Sequence, residues 1–228
     1  MKMHFYLLAL LLSVSFFSQA QIKKGTVLLG GNVQFYSQKA ESPGPPLPYT
    51  TKNTSFGLTP SIGFAIKDNL LEGFDLLYAH STSEQPYLQG SQILVARQRT
   101  NGYGAGFFLR QYKNLGSRFY IFMQGRLGGS YSASKDEPQS SGAVTDIKET
   151  NITLGFYPGI SYAITNKVQL ETGFQNLLFA SYDHQKRTDQ PQSGGTPSSY
   201  SSNSFSLATG LSNSFSGFVI GFKVLLGS

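Results

Sequence analysis

The stretch Ser55-Phe-Gly-Leu-Thr-Pro-Ser-Ile-Gly-Phe-Ala-Ile66 alternates between large apolar residues and small or polar ones. The stretch Asn151-Ile-Thr-Leu-Gly-Phe-Tyr-Pro-Gly-Ile-Ser-Tyr-Ala-Ile164 follows the same two-residue period. Successive side chains of a β-strand point to opposite faces, so each stretch is predicted to be a strand with one apolar face. In a soluble sheet a second layer must cover that face, whereas in a transmembrane barrel the lipid covers it.

The first twenty residues have the features of a secretory signal peptide. Lys2 supplies a positive charge, Tyr6 to Phe17 form an apolar core, and Ser18-Gln19-Ala20 provides a cleavage site. We therefore predict a signal peptide at 1–20 and a single barrel domain at 21–228. Export through this signal, together with an apolar strand face, favours a location in the outer membrane of a Gram-negative cell.

The composition restricts the remaining classes of protein. The net charge is +6, the mean hydropathy is −0.17, and there is no Cys, so disulfides and thiol chemistry are excluded. Beyond the signal, no apolar run is long enough for a membrane helix, which leaves a closed barrel as the way to span lipid. The basic residues are scattered, whereas nucleic-acid binding needs a clustered stripe.

The whole pattern predicts an all-β fold, an eight-stranded antiparallel up-and-down transmembrane β-barrel. Three tight turns, at Lys67–Asn69, Lys113–Gly116 and Thr165–Lys167, interleave with four long polar loops, as in such barrels. The predicted strands are Gly25–Ser37, Ser55–Ile66, Leu70–His80, Arg99–Tyr112, Ser117–Ser134, Asn151–Ile164, Val168–Asp183 and Phe205–Leu226. The predicted loops are Gln38–Thr54, Ser81–Gln98, Lys135–Glu149 and His184–Ser204.

Aromatic residues at the alternate strand positions that carry apolar side chains mark the expected membrane boundaries. Tyr78, Tyr103, Tyr131 and Tyr182 fall near the loop ends of four strands and predict an outer girdle, and Tyr162 predicts an inner one.

Three features interrupt the strand pattern. Pro60 and Pro158 cannot donate to a ladder, so each is expected at a bulge or a missing hydrogen bond. Glu72 lies on the apolar parity and is placed at the periplasmic rim. The last segment changes parity, which predicts either a bulge around Ser212–Gly217 or a strand that begins near Phe215.

Several stretches resemble the small outer-membrane β-barrel proteins of Bacteroidetes-type bacteria, the porin-like group related to the barrel of outer membrane protein A. They are Lys24-Gly-Thr-Val-Leu-Leu-Gly-Gly31, Pro60-Ser-Ile-Gly-Phe-Ala-Ile-Lys-Asp-Asn-Leu70, Tyr103-Gly-Ala-Gly-Phe-Phe-Leu-Arg110 and Gly221-Phe-Lys-Val-Leu-Leu226. The resemblance implies a monomer in outer-membrane lipid that is delivered by periplasmic chaperones and the barrel assembly machinery. It is informative about architecture and says little about activity.

Four ionisable residues lie at the alternate strand positions that are predicted to face the barrel interior: Asp75, Arg110, Arg126 and Glu171. They predict either a charged constriction that selects solutes or a salt-bridge plug. The interior of an eight-stranded barrel is barely wide enough for its own side chains, which favours the plug. Asp75 and Arg110 lie at similar heights on neighbouring strands and are the predicted pair.

The predicted function is that of a non-enzymatic barrel, structural or surface-exposed, with at most slow passage of small solutes. One alternative is an adhesin or partner-binding protein that acts through its loops. Another is a lipid-modifying enzyme that uses His184, Asp183 and a loop serine, although no residue is marked as a nucleophile. A third alternative, a soluble barrel that carries apolar ligands, would need an apolar interior and a polar exterior, which is the reverse of the predicted arrangement. His80 and His184 are too few for a metal site, and no cofactor is predicted.

Overall fold

A computed structural model of the chain describes residues 22–42, 49–89, 92–116, 118–138, 144–174, 177–191, 195–209 and 218–227. The predicted signal peptide lies outside the described residues. The described part of the chain contains ten β-segments that belong to one antiparallel sheet. They are β1 (Val27–Ser42), β2 (Tyr49–Lys67), β3 (Leu70–Gln89), β4 (Gln92–Gly116), β5 (Phe119–Pro138), β6 (Val144–Ala163), β7 (Val168–Phe174), β8 (Leu178–Gln190), β9 (Ser198–Ala208) and β10 (Phe218–Leu226).

The sheet closes on itself through eight of these segments. Neighbours in sequence pair from β1 to β7, and β10 bridges β7 and β1, where Val27 to Val33 face Leu226 to Ile220. Further from the short turns, β8 takes the place of β7 beside β6, and β9 pairs with β8. The prediction of an all-β, eight-stranded antiparallel up-and-down barrel is confirmed.

The seventh and eighth barrel strands each consist of two segments, which corrects the prediction of one continuous seventh strand and agrees with the predicted irregularity in the eighth. β7 and β8 replace the predicted Val168–Asp183, and β9 and β10 replace Phe205–Leu226. In β9 the odd residues Phe205 and Leu207 are exposed, whereas in β10 the even residues Ile220, Phe222 and Val224 are exposed, so the outward set changes from odd to even between the two segments. Phe205–Ala208 is strand, so the eighth strand does not first begin near Phe215, and the predicted bulge at Ser212–Gly217 lies outside the described residues.

The strands extend further from the short turns than the sequence pattern predicted. Most of the described residues in the predicted loops Gln38–Thr54, Ser81–Gln98, Lys135–Glu149 and His184–Ser204 are strand, so those loop boundaries are wrong. The reason is that both faces of these extensions are polar. Alternation of apolar and polar residues, the sequence signal for a strand, is lost there, while the backbone ladder continues.

The predicted tight turns at Lys67–Asn69 and Thr165–Lys167 join β2 to β3 and β6 to β7. The predicted turn Lys113–Gly116 is wrong, because these residues form the end of β4, with a register shift between Asn114 and Gly116, and the chain reverses between Gly116 and Phe119. Asn69 takes a left-handed conformation with φ of 59°, which an Asn tolerates better than most residues. In the turn before β7, the hydroxyl of Thr165 accepts hydrogen bonds from the amides of Lys167 and Val168 at 3.2 and 3.0 Å. We call the end of the barrel that carries these turns the turn end.

The outer face of the barrel is apolar in its middle. The exposed residues include Phe56, Leu58, Ile62, Leu154, Phe156 and Ile160. Tyr78, Tyr103 and Tyr131 form one cross-strand row on this face, and at the turn end Phe119 packs against Tyr162 with ring centroids 4.8 Å apart. The described residues include no helix long and apolar enough to cross a membrane.

Both strand prolines lie at irregularities of the ladder, as predicted. Opposite Pro60, the pairing of β2 with β3 is interrupted between Leu58 and Ser61. On one side of Pro158, Gly159 pairs with Gly173, and on the other side Phe156 pairs with Leu178. Three positions along β6 thus correspond to five positions along the neighbouring strand. The register between β6 and the seventh barrel strand therefore shifts by two residues across Pro158, which has no amide to donate to the ladder.

Candidate functional site: the barrel lumen

The lumen is closed at the turn end by an apolar floor. Its side chains come from all parts of the chain: Ile22, Leu28, Ala65, Leu71, Tyr112, Tyr120, Phe122, Ala163 and Leu225. The segment before β1 crosses the turn end, where the carbonyl of Ile22 accepts a hydrogen bond from the amide of Asn69 at 2.9 Å. This places the fully buried Ile22 side chain in the floor and leaves little of the floor exposed to water.

A buried ionic cluster lies on top of the floor. Arg110 Nη1 donates to Glu171 Oε2 at 2.7 Å, and Arg110 Nε donates to Gln124 Oε1 at 2.7 Å. The hydroxyl of Tyr112 accepts from Arg110 at 2.8 Å and donates to Glu171 Oε1 at 2.5 Å. The guanidinium also lies 4.4 Å from the ring centroid of Phe122, within the range of a cation–π contact. Both charges are thus compensated on several sides.

A second ion pair, between Asp75 and Arg126, lies further from the floor. Arg126 Nε donates to Asp75 Oδ2 at 2.8 Å and Nη2 donates to Oδ1 at 2.5 Å, which is the bidentate geometry favoured by guanidinium and carboxylate. The guanidinium crosses directly over Gly106, where an added methyl group would lie 2.5 Å from Cζ. The small inward residues of β4 and β5 therefore make room for the charged side chains of the lumen.

Lys223 is a fifth charged residue of the lumen. It is only 2% exposed, and its Nζ donates to the hydroxyl of Ser61 at 2.9 Å. Lys223 is not among the predicted lumen residues, although it alternates with the apolar residues Phe218, Ile220, Phe222, Val224 and Leu226 and so falls on the inward face of the strand. Its stem lies against Gly30 of the neighbouring strand.

A polar cavity of about 220 Å³ opens above the Asp75–Arg126 pair. Its lining includes Asn32, Thr59, Gln124, Ser130, Asn151, Thr153 and Tyr157. Within this lining, Asn151 accepts a hydrogen bond from the hydroxyl of Thr153, and its amide group donates to Asp183. The lumen is therefore a polar cavity above a floor, with two ion pairs between them.

The four predicted lumen residues all lie inside the barrel, but they form different ion pairs from the one that was predicted. Asp75, Arg110 and Glu171 are buried, and Arg126 is largely buried. Asp75 contacts Arg126 and Arg110 contacts Glu171, so the predicted Asp75–Arg110 pair is wrong. In the ladder, Arg110 lies opposite Leu71, four residues nearer the turn end than Asp75. At about 3.4 Å per residue, that offset is about 14 Å.

The histidines do not meet the acidic residue that a hydrolase would need. His184 bonds to Asn203 Oδ1 at 2.7 Å on the exposed face, whereas Asp183 bonds to Asn151 and Ser181 on the inward face. Adjacent strand residues point to opposite faces, so His184 and Asp183 are kept apart. His80 contacts Asn101 at 2.8 Å.

Fold and lumen define a class: a closed eight-stranded barrel with an apolar exterior and a lumen filled by ion pairs. No protein-family model matches the chain, and no curated protein matches it. In structure it is similar to Neisserial surface protein A, with 17% identity and a TM-score of 0.36 over 88% of this chain and 97% of that one.

Two further solved structures show similarity at the same level. One is the translocator domain of the autotransporter NalP from Neisseria meningitidis, at 11% identity and a TM-score of 0.36, with coverage of 98% and 95%. The other is the ferric yersiniabactin uptake receptor FyuA from Yersinia pestis, at 10% identity and a TM-score of 0.39, with 81% of this chain covered. The chain spans 31% of the receptor's length. Identities this low give no ground for transferring a ligand or an activity.

Proposed function

We propose that this chain is an integral outer-membrane β-barrel of the Bacteroidetes-type, porin-like group, with a structural or surface role and no enzymatic activity. The observation that carries the proposal is its inverted polarity. Ionic residues such as Arg110 and Glu171 are buried inside, while residues such as Leu154 and Phe156 are exposed outside. Lipid is the environment that favours this arrangement, because it covers apolar outer faces and a closed barrel leaves no strand edge unpaired.

The proposal assigns an orientation to the barrel. The turn end faces the periplasm and the polar strand extensions project from the cell, since short turns are periplasmic in barrels of this kind. The predicted signal peptide at 1–20 directs export, periplasmic chaperones carry the unfolded chain, and the barrel assembly machinery inserts it. The inserted protein is a monomer.

The lumen side chains support a plug in place of an open channel. Arg110, Glu171, Asp75, Arg126 and Lys223 each have a hydrogen-bond or ion-pair partner across the interior. Buried charges are expensive to separate, so an opening that parted these pairs would carry a large free-energy cost.

Planar-bilayer recordings test the plug. The wild-type protein is expected to show no large steady conductance, with at most small and rare openings. The variant Tyr120→Ala/Phe122→Ala, which removes two floor side chains, is expected to open more often, because the floor then lets water reach the ion pairs. A stable, wide, voltage-independent pore in the wild type would contradict the plug and favour a channel.

A role in binding a partner at the cell surface is the second candidate. β3 to β6 are each 20 to 25 residues long, about twice the 9 to 11 that a membrane-spanning strand needs. The extensions beyond the tyrosine row carry cross-strand ion pairs such as Arg97–Glu84 at 2.7 Å. The hydrogen bond from Lys135 lowers the pKa of Glu137 there, so this carboxylate stays charged at neutral pH. A rigid, charged β-surface above the membrane would suit contact with a polar partner.

A further inference from the structure

A groove of about 500 Å³ runs along the outer wall of the barrel in its turn-end half. Its sides are the outward residues Ile121 and Met123 of β5, Ile160 of β6 and Phe174 of β7. Its base lies where Gly159 and Gly173 pair with each other. Both glycines are on the inward face, and a side chain added at Gly159 would meet the ring of Phe122, so that ring lies directly behind the backbone of the wall. The depression is almost wholly apolar.

The groove lies at the irregularity of the ladder around Pro158. Pro158 lines the groove, and the register between β6 and the neighbouring barrel strand shifts by two residues across it. On the outer wall the residues at this level include Pro158 of β6 and Thr172 of β7, whose side chains are short. They leave a depression between the larger side chains of Met123, Ile160 and Phe174.

Positive charge is concentrated at the same end of the barrel. The basic residues of the turn end are Lys23, Lys24, Lys67, Lys113, Arg118 and Lys167, against the acidic residues Asp68 and Glu72. The described residues beyond the tyrosine row are nearly balanced, with eight basic and seven acidic side chains. Nearly all of the net charge of the mature chain therefore lies at the turn end.

One of these basic residues meets the groove. Lys113 lies on the outward face of β4, opposite Ile121, and lines the groove together with Gln111. Arg118 and Lys167 lie on the two turns that join the strands of the groove. An apolar slot that ends at an exposed ammonium group matches a lipid whose acyl chain fills the slot and whose phosphate meets the charge.

We propose that this groove is a binding site for a phospholipid with an anionic headgroup, in which one acyl chain packs against Ile121, Met123 and Ile160 and the phosphate contacts Lys113. The site rests on the proposed function, since it requires the outer wall to face lipid. It deepens that function by assigning a lipid class to one place on the wall.

Native mass spectrometry from nanodiscs tests the site, with phosphatidylglycerol and phosphatidylcholine of identical acyl chains in equal amounts. The wild type is expected to retain phosphatidylglycerol preferentially. Lys113→Gln is expected to lower the ratio of bound phosphatidylglycerol to phosphatidylcholine about fivefold, the effect of one basic residue at a membrane surface. Lys52→Gln, at an exposed lysine in the polar extension of β2, is the matched control and is expected to leave the ratio unchanged.

A second pair of variants tests the groove itself. Met123→Trp fills the slot and is expected to reduce the retention of both lipids, whereas Leu127→Trp, outward on the same strand and outside the groove, is not. The proposal is wrong if the wild type shows no preference, if Lys52→Gln acts like Lys113→Gln, or if Leu127→Trp acts like Met123→Trp. A dimer that Met123→Trp abolishes would place a second copy of the chain in the groove and would also overturn it. Failure of the wild type to insert into nanodiscs would instead contradict the proposed function.

Discussion

Replacing Glu171 with Ala is expected to lower the free energy of unfolding by about 3–5 kcal/mol, since it leaves a buried Arg110 without its counter-charge. Only 7% of the Arg110 side chain and 5% of the Glu171 side chain are exposed, and Tyr112 would lose its acceptor in the same step. Urea unfolding in lipid vesicles, followed by circular dichroism, measures the change.

Two control variants distinguish the destabilisation caused by an unpaired buried charge from the destabilisation that any substitution causes. Glu84→Ala breaks the exposed pair with Arg97 and is expected to cost about 1 kcal/mol or less. The double variant Arg110→Met/Glu171→Leu removes both charges and keeps apolar volume, so it is expected to be milder than Glu171→Ala. Equal losses for Glu171→Ala and Glu84→Ala would mean that the lumen pair is as well solvated as the outer one.

Replacing Phe156 with Arg is expected to destabilise the inserted barrel by about 2–4 kcal/mol, as for a charge at the bilayer midplane on a lipid face. Phe156 is exposed on the outer wall, about halfway between Tyr162 at the turn end and Ile152, which pairs with Tyr182. The two tyrosines mark the proposed interfaces, so Phe156 lies near the middle of the apolar band. Unfolding from vesicles of defined thickness measures the loss.

The position of the charge provides the control for this substitution. Tyr162→Arg is expected to cost at most about 1 kcal/mol, because a basic side chain at the interface reaches water. Phe156→Ala reports the loss of the ring alone. If Phe156→Arg and Tyr162→Arg have the same effect, the apolar band does not lie across a bilayer.

The sequence predicted the barrel well where one face of a strand is apolar. In Ser55–Ile66 and Asn151–Ile164 the alternation identifies both the strand and its outward residues, because lipid contact selects every second side chain. In the extensions, for example around Glu84 and Arg97, both faces are polar. The strand continues there because of backbone pairing, which leaves no trace in hydropathy.

The sequence predicts which four charged residues lie inside the barrel, but it does not predict which of them form ion pairs with each other. Parity alone placed Asp75, Arg110, Arg126 and Glu171 inside the barrel. The contact between Arg110 and Glu171 spans the lumen from β4 to β7, and it depends on the registers of the three ladders that connect these strands through β5 and β6 together with the curvature of the closed ring. Those registers are properties of the closed barrel and no local stretch of sequence encodes them.

Single spin labels on the wall test the central claim, an inserted barrel with an apolar exterior and a polar lumen. Since the chain has no Cys, Leu154→Cys, Phe156→Cys, Ile160→Cys and Thr153→Cys each give one labelling site. In bilayers, labels at 154, 156 and 160 are predicted to be accessible to oxygen and shielded from a water-soluble nickel reagent. The label at 153, in the lumen cavity, is predicted to show the lower oxygen accessibility of a polar interior. Water accessibility at 154, 156 and 160 would contradict the account.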